Sequence, residues 1–190
     1  MIVWVDGAFG SGKTTLAGEL RRRLPDALEF DPEYVGYVLQ RFVPPVDDFQ
    51  DVASWRALTA AFLVELRREY GRAVIVPMTL WHVPYREEIF GRVAAAGERV
   101  AHVFLDVPAD ELCRRIEAQV LIPDDPAADA AARAFRLDHI ARGIAARETL
   151  PTDTLVLDAA KLTPPELADA VSEWLAESVT RPAGDPGRLT

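Results

Sequence analysis

Residues 7 to 14 read Gly-Ala-Phe-Gly-Ser-Gly-Lys-Thr, three glycines spaced through a short run that closes on a lysine and a threonine. Gly7, Gly10 and Gly12 allow backbone turns closed to residues with a Cβ, so that successive N–H groups point inward at one place. Such donors at the start of a helix form a cradle for phosphate oxygens, helped by the partial positive charge of the helix end. In this pattern Lys13 reaches the β- and γ-phosphates, Thr14 offers its hydroxyl to Mg²⁺, and Thr15 contacts the α-phosphate, with Ala8, Phe9 and Ser11 completing the loop. The expected ligands are therefore ATP and Mg²⁺. A glycine-rich turn matched by chance is the alternative, and an apolar run before it with helical spacing after it argues against chance. Of the 21 basic residues only Lys13 and Lys161 are lysines. A bias toward arginine that spares position 13 fits a site that needs a compact ammonium on a flexible stem.

That loop needs a strand before it and a helix behind it. Ile2 to Asp6 is a strand candidate, and Leu16, Ala17, Leu20 and Leu24 follow at helical spacing until Pro25. The same alternation continues down the chain. Ala27 to Asp31 is a second strand, and Pro32 opens a helix with Val35, Val38, Leu39 and Phe42 on one face. A longer helix carries Trp55, Leu58, Phe62 and Leu66 and stops at Gly71. Ala73 to Met78, Val100 to Asp106 and Thr154 to Leu157 are the remaining strands. Helices are expected at about 84–96, from Pro108, over about 131–148, and from Pro164 to Ser178. Strands alternating with helices imply an α/β fold, a parallel sheet covered on both faces. The expected organisation is one domain over residues 1–179, with an arginine-bearing lid at about 120–148 and a flexible tail over 180–190.

In an open sheet of this kind ligands bind beyond the carboxyl ends of the strands, which directs attention to the strand ends. Asp31, in Phe-Asp-Pro-Glu, is a candidate base for an acceptor hydroxyl or a Mg²⁺ ligand through water; Asp before Pro is also a normal helix cap. Glu33 and Tyr34 are weaker candidates. The end of the third strand, Pro77-Met78-Thr79-Leu80-Trp81-His82, lacks an acidic residue. Met78 and Trp81 are read equally as an acceptor pocket or as core. Phe49, Gln50 and Arg56 mix aromatic, amide and charge near a helix start and are candidates for acceptor binding, with Trp55 as core. Transfer of a phosphoryl group also calls for cations and exclusion of water. Arg133 and Arg136 share a helix face and are the lid candidates, and the Pro-Asp-Asp-Pro stretch before them reads as a hinge.

Composition limits the alternatives. A net charge of -9 argues against a nucleic-acid binder. No apolar run approaches the ~20 residues of a membrane span, and the N-terminal stretch has no signal-peptide pattern. The lone Cys113 excludes an intrachain disulfide and is expected as a core thiol; the protein is expected to be cytoplasmic.

Several stretches together resemble the tunicamycin-resistance proteins: Trp4 through Thr14, Phe30-Asp-Pro-Glu33, Asp48-Phe-Gln-Asp51 with Trp55-Arg56, and Ile75-Val-Pro-Met-Thr79 with His82. The likeness is spread over roughly residues 1 to 160. More distantly the layout is similar to antibiotic phosphotransferases, shikimate-type kinases and zeta-toxin kinases. The resemblance implies a three-layer P-loop NTPase fold with sheet order 2-3-1-4-5, phosphate binding by Gly7 through Thr15, and Asp31 near the site of transfer. It also implies Arg115 over the adenine. Gln119 stands where such kinases usually have a second arginine, which leaves the lid chemistry to Arg133 and Arg136. The function it implies is ATP-dependent phosphorylation of tunicamycin or a related nucleoside-type antibiotic, conferring resistance. Sequestration of the antibiotic without transfer, and a kinase for a UDP-sugar or other small metabolite, stand as alternatives.

Overall fold

In the computed structural model, which describes residues 1–180, every residue of strand β1 (Ile2–Gly7) is buried. Its side chains alternate between two faces, and each face builds its own core. Val3 and Val5 pack with Leu16, Leu20, Leu112, Ile116 and Val171, while Ile2 and Trp4 pack with Trp55, Leu63, Ile89 and Val93. The Trp4 indole is fully buried and donates its N–H to Met78 O at 2.8 Å.

β1 is flanked by β3 (Val74–Pro77) and β4 (Val100–Asp106), with β2 (Leu28–Glu29) and β5 (Leu155–Asp158) outside them. All pairings are parallel and the order is β2-β3-β1-β4-β5. On one face lie α1 (Lys13–Arg23), α5 (Ala109–Glu117) and α8 (Pro164–Thr180). On the other lie α3 (Ala53–Tyr70) and α4 (Val83–Ala95). This is the three-layer P-loop fold with helices on both faces. No helix among the described residues is long and apolar enough to cross a membrane. The tail expected from residue 180 lies, from 181 on, outside the described residues.

Four expectations need correction. β2 pairs over two residues only, so Asp31 follows the strand rather than ending it. In α2 (Glu33–Leu39), Val35 is buried and Leu39 packs on the core, but Val38 is exposed, and so is Phe42, which lies beyond the end of the helix. In α3 the buried stripe runs through Trp55, Thr59 and Leu63, whereas Leu58 and Phe62 are exposed, Phe62 stacking on Phe30. The helix is apolar on more than one side, and spacing alone does not choose between overlapping stripes. The single helix expected at 131–148 is α6 (Pro126–Asp138), α7 (Ile140–Ala145) and a short 3-10 turn over Ala146–Thr149. The last two residues of Pro-Asp-Asp-Pro start α6: Asp125 accepts from the N–H groups of Ala127 and Ala128, and Pro126 follows at the first helical position.

Candidate active site

Between β1 and α1 the chain turns through Gly7, Gly10 and Gly12, at φ 142, 80 and 101 degrees, values that disfavour any residue with a Cβ. α1 then starts with no side-chain cap, which leaves its first N–H groups open toward the loop. Gly7 is the most heavily used residue of the turn. Its N–H donates to Asp6 Oδ1 at 2.6 Å, and its carbonyl accepts from Thr79 Oγ1 at 2.8 Å and from Lys13 Nζ at 2.9 Å. Lys13 Nζ also donates to Ala8 O at 2.9 Å. Burial pulls the Lys13 pKa down to about 8; Asp6 and Glu33 oppose that shift and Arg136 adds to it. Asp6 is fully buried, and Leu80 N donates to the same Oδ1 at 3.0 Å. Its other oxygen lies 3.2 Å from His102 Nε2, whose Nδ1 is 2.9 Å from Thr154 Oγ1. The phosphate loop is thus tied from below to the segment after β3.

That segment forms one wall of a cavity of about 410 Å³ lined by Lys13, Thr14, Asp31, Phe49, Gln50, Met78, Trp81, Gln119, Phe135 and Arg136, among others. Met78 and Trp81 are both core and wall: each is buried, and each lines the cavity. Gln50 sits on a 3-10 turn (Phe49–Asp51) capped by Asp48, which accepts from Gln50 N at 2.9 Å. Phe49 is pressed so closely on α2 that a Cβ on Gly36 would lie 2.4 Å from its ring. Asp31 accepts from Glu33 N at 2.9 Å, the capping arrangement, and still faces the cavity. Burial raises the Asp31 pKa, with Glu33 and Glu29 adding to it against the lowering by the Glu33 N–H.

Of the two lid arginines, the structure brings only Arg136 to the cavity. Its guanidinium lies 5.5 Å from the Phe9 ring centre, and Nη1 donates to Gln119 Oε1 at 2.8 Å. Gln119, in the place of an expected second arginine, accepts from Arg136 instead. Arg133 turns away to Asp129 and to Gln119 O, while Asp129 also accepts from Leu121 N and Ile122 N. Arg133 therefore braces the start of α6. Arg56 also does not reach the cavity. It pairs with Glu88 at 2.6 Å, lies over the Tyr85 ring, and donates to Gln50 O, so it holds the turn that carries Gln50.

A second cavity, also about 410 Å³, opens on the other side of the loop and shares Gly10, Gly12, Thr15 and Gln119 with the first. Arg115 lines it, held by Glu111 at 2.6 Å and by Ala159 O at 2.9 Å. Residues of α6 and α7 pack directly on the loop. A Cβ on Gly143 of α7 would lie 2.7 Å from that of Ala8, and Phe9 meets Trp81, Phe135 and His139 edge to face.

The family described as AAA domain matches residues 2–139, most of the chain. The protein belongs to the AAA domain family. No protein of curated function matches it. Among solved structures, it is similar to a tunicamycin resistance protein from Deinococcus radiodurans (24% identity, TM-score 0.69, covering 92% of this chain and 95% of that one). It is also similar to the APS kinase of Mycobacterium tuberculosis in complex with AMPPNP and APS (23%, 0.62, 92% and 96%). A sugar kinase from a Janibacter species matches at 22% identity and TM-score 0.60, over 92% of this chain and 94% of that one. At these identities the AAA domain protein shares their fold.

Sequence reasoning missed Asp6, Thr79, Phe135 and the acidic residues Asp47 and Asp48. Asp6 carried one signal, a carboxylate in an otherwise apolar strand directly before the loop. Thr79 stood at a strand end, but nothing local gave its bond to Gly7 O; Phe135 carried no signal, because its place depends on contacts with residues far along the chain.

Proposed function

We propose that this AAA domain protein transfers the γ-phosphoryl group of ATP to a hydroxyl of tunicamycin or a related nucleoside-type molecule. The observation that carries the reading is a shared cavity: Lys13, Thr14 and Arg136 line it together with Asp31, a carboxylate whose pKa is raised. A base with a raised pKa is better matched to a hydroxyl proton than an ordinary carboxylate. In this reading Asp31 takes that proton as the acceptor oxygen bonds to the γ-phosphorus and the bond to the β-phosphate oxygen breaks, releasing ADP. Lys13, the loop N–H groups and Arg136 neutralise charge on the phosphoryl oxygens, an effect worth about 10²–10³ in rate for a single donor. Thr14, exposed at the start of α1, and Asp31 across the cavity fit a hard cation that keeps most of its waters. Mg²⁺ bound there would neutralise phosphate charge. The second cavity with Arg115 suits the adenine, and Trp81, Phe135 and Phe9 shield the transfer site from water.

Mass spectrometry of tunicamycin incubated with the protein, ATP and Mg²⁺ tests this. The expected result is a gain of one phosphoryl group, lost with Asp31→Asn. Unmodified antibiotic that binds more tightly when ATP is present would replace transfer by sequestration.

A further inference from the structure

The cavity is divided by charge. Its two cations, Lys13 and Arg136, stand at the phosphate loop and the lid, whereas four carboxylates, those of Asp31, Glu33, Asp47 and Asp48, line it as well. Arg142 and His82 act on Asp48 from nearby, but neither lines the cavity. Glu33 accepts from Tyr37 Oη at 3.0 Å and acts on both Lys13 and Arg136, so it belongs with the cations and the nucleoside triphosphate; Asp31, Asp47 and Asp48 are the three carboxylates left to face the other substrate.

Two further groups point to what they receive. Gln50 is 3% exposed and lines the cavity, yet its Oε1 has no partner in the protein. Its Nε2 donates to Thr79 O at 3.0 Å, and because a carbonyl can only accept, the free end is the oxygen. Trp81 is 7% exposed, lines the same cavity, and its Nε1–H is also without a partner. Buried polar groups are nearly always paired, so two open ones lining the same cavity mark a ligand's place. Acceptors outnumber donors heavily among these groups: three carboxylates and an amide oxygen against a single indole N–H.

We propose, resting on the phosphotransferase reading, that this wall receives a donor-rich acceptor, a neutral or cationic polyhydroxylated molecule, and turns away molecules that carry phosphate or carboxylate at the accepting end. Hydroxyls or an ammonium satisfy the carboxylates and Gln50 Oε1 together. An anion placed there meets three like charges and only one open donor. A nucleotide sugar, doubly charged between its two sugars, is therefore a poor acceptor, and an uncharged nucleoside conjugate a good one.

Two charge ladders on fixed skeletons test this: aminodeoxyuridine, uridine and uridine monophosphate, and glucosamine, glucose and glucose phosphate. Each is titrated calorimetrically into the full chain with a non-hydrolysable ATP analogue and Mg²⁺. The expected order of affinity is amine, neutral, phosphate, with steps of about tenfold per unit of charge. Asp47→Asn with Asp48→Asn should compress the steps, and asparagine still caps the turn that carries Gln50. A phosphate ester that binds as well as its neutral partner, steps unchanged in the double variant, or no binding by any member at millimolar concentration would overturn the proposal. Tunicamycin that gains a phosphoryl group while the ladder is flat would remove the acceptor class alone. An ordered ladder with untouched tunicamycin would remove tunicamycin and leave the class standing.

Discussion

The two halves of the cavity are made of different materials. The phosphate side is backbone: glycines at positive φ, an uncapped helix start, and one lysine. The side we propose for the acceptor is side chains, from the 3-10 turn, the segment after β3 and α6. A backbone site is set by a short stretch of chain and binds what is common to all nucleotides. A site of side chains gathered from distant elements can change its ligand without disturbing the fold. The contrast predicts that damage to one half should leave the other readable.

The largest effect is expected from Lys13→Ala, which should abolish nucleotide binding and with it transfer, while the fold is kept; titration with ATP and circular dichroism check both. Lys13→Arg should not rescue it, because a planar guanidinium does not fit where one Nζ reaches Gly7 O and Ala8 O. A smaller effect should come from pH. Burial brings the Lys13 pKa down to about 8, and bound phosphates raise it. Binding then takes up a proton once the pH exceeds about 8, so nucleotide affinity falls as pH rises beyond that value, by at most about tenfold per unit. Calorimetry in buffers of different ionisation enthalpy detects the proton. On the acid side, kcat/KM should fall as Asp31 is protonated, with a midpoint higher than that of an unperturbed aspartate. The smallest effect belongs to Gly36→Ala. The new methyl displaces the Phe49 ring, which should cost about 1–3 kcal/mol of stability and weaken acceptor binding several-fold. Nucleotide affinity should not change, and equal losses of both would end the division into two materials.

The same division explains what could be read before the structure was known. The phosphate loop was legible because every part of it lies within nine residues, with the strand and helix adjoining. Asp31 was legible as a residue facing the cavity, because the loops beyond the carboxyl ends of parallel strands are where such folds place ligands. The role of Gln119 was not: it depends on Arg136 coming back to it from the next helix, which starts at Asp125-Pro126, before the expected bound at about residue 131. The pairing of Asp6 with His102 spans 96 positions and no local pattern announces it. Val38, Phe42, Leu58 and Phe62 show the other limit. They have the residue types of a core, but each helix has one inward face, and it was already filled by their neighbours.

Ala8 and Gly143 meet with no room for a second methyl. A Cβ at 143 would lie 2.7 Å from the Ala8 methyl and 2.9 Å from the Ala8 Cα, so removing the methyl at 8 does not by itself make room for alanine at 143. The approach is limited by backbone as well as by side chain, and glycine at 143 is what lets α7 lie this close to the loop. Any redesign of the lid has to start from that pair.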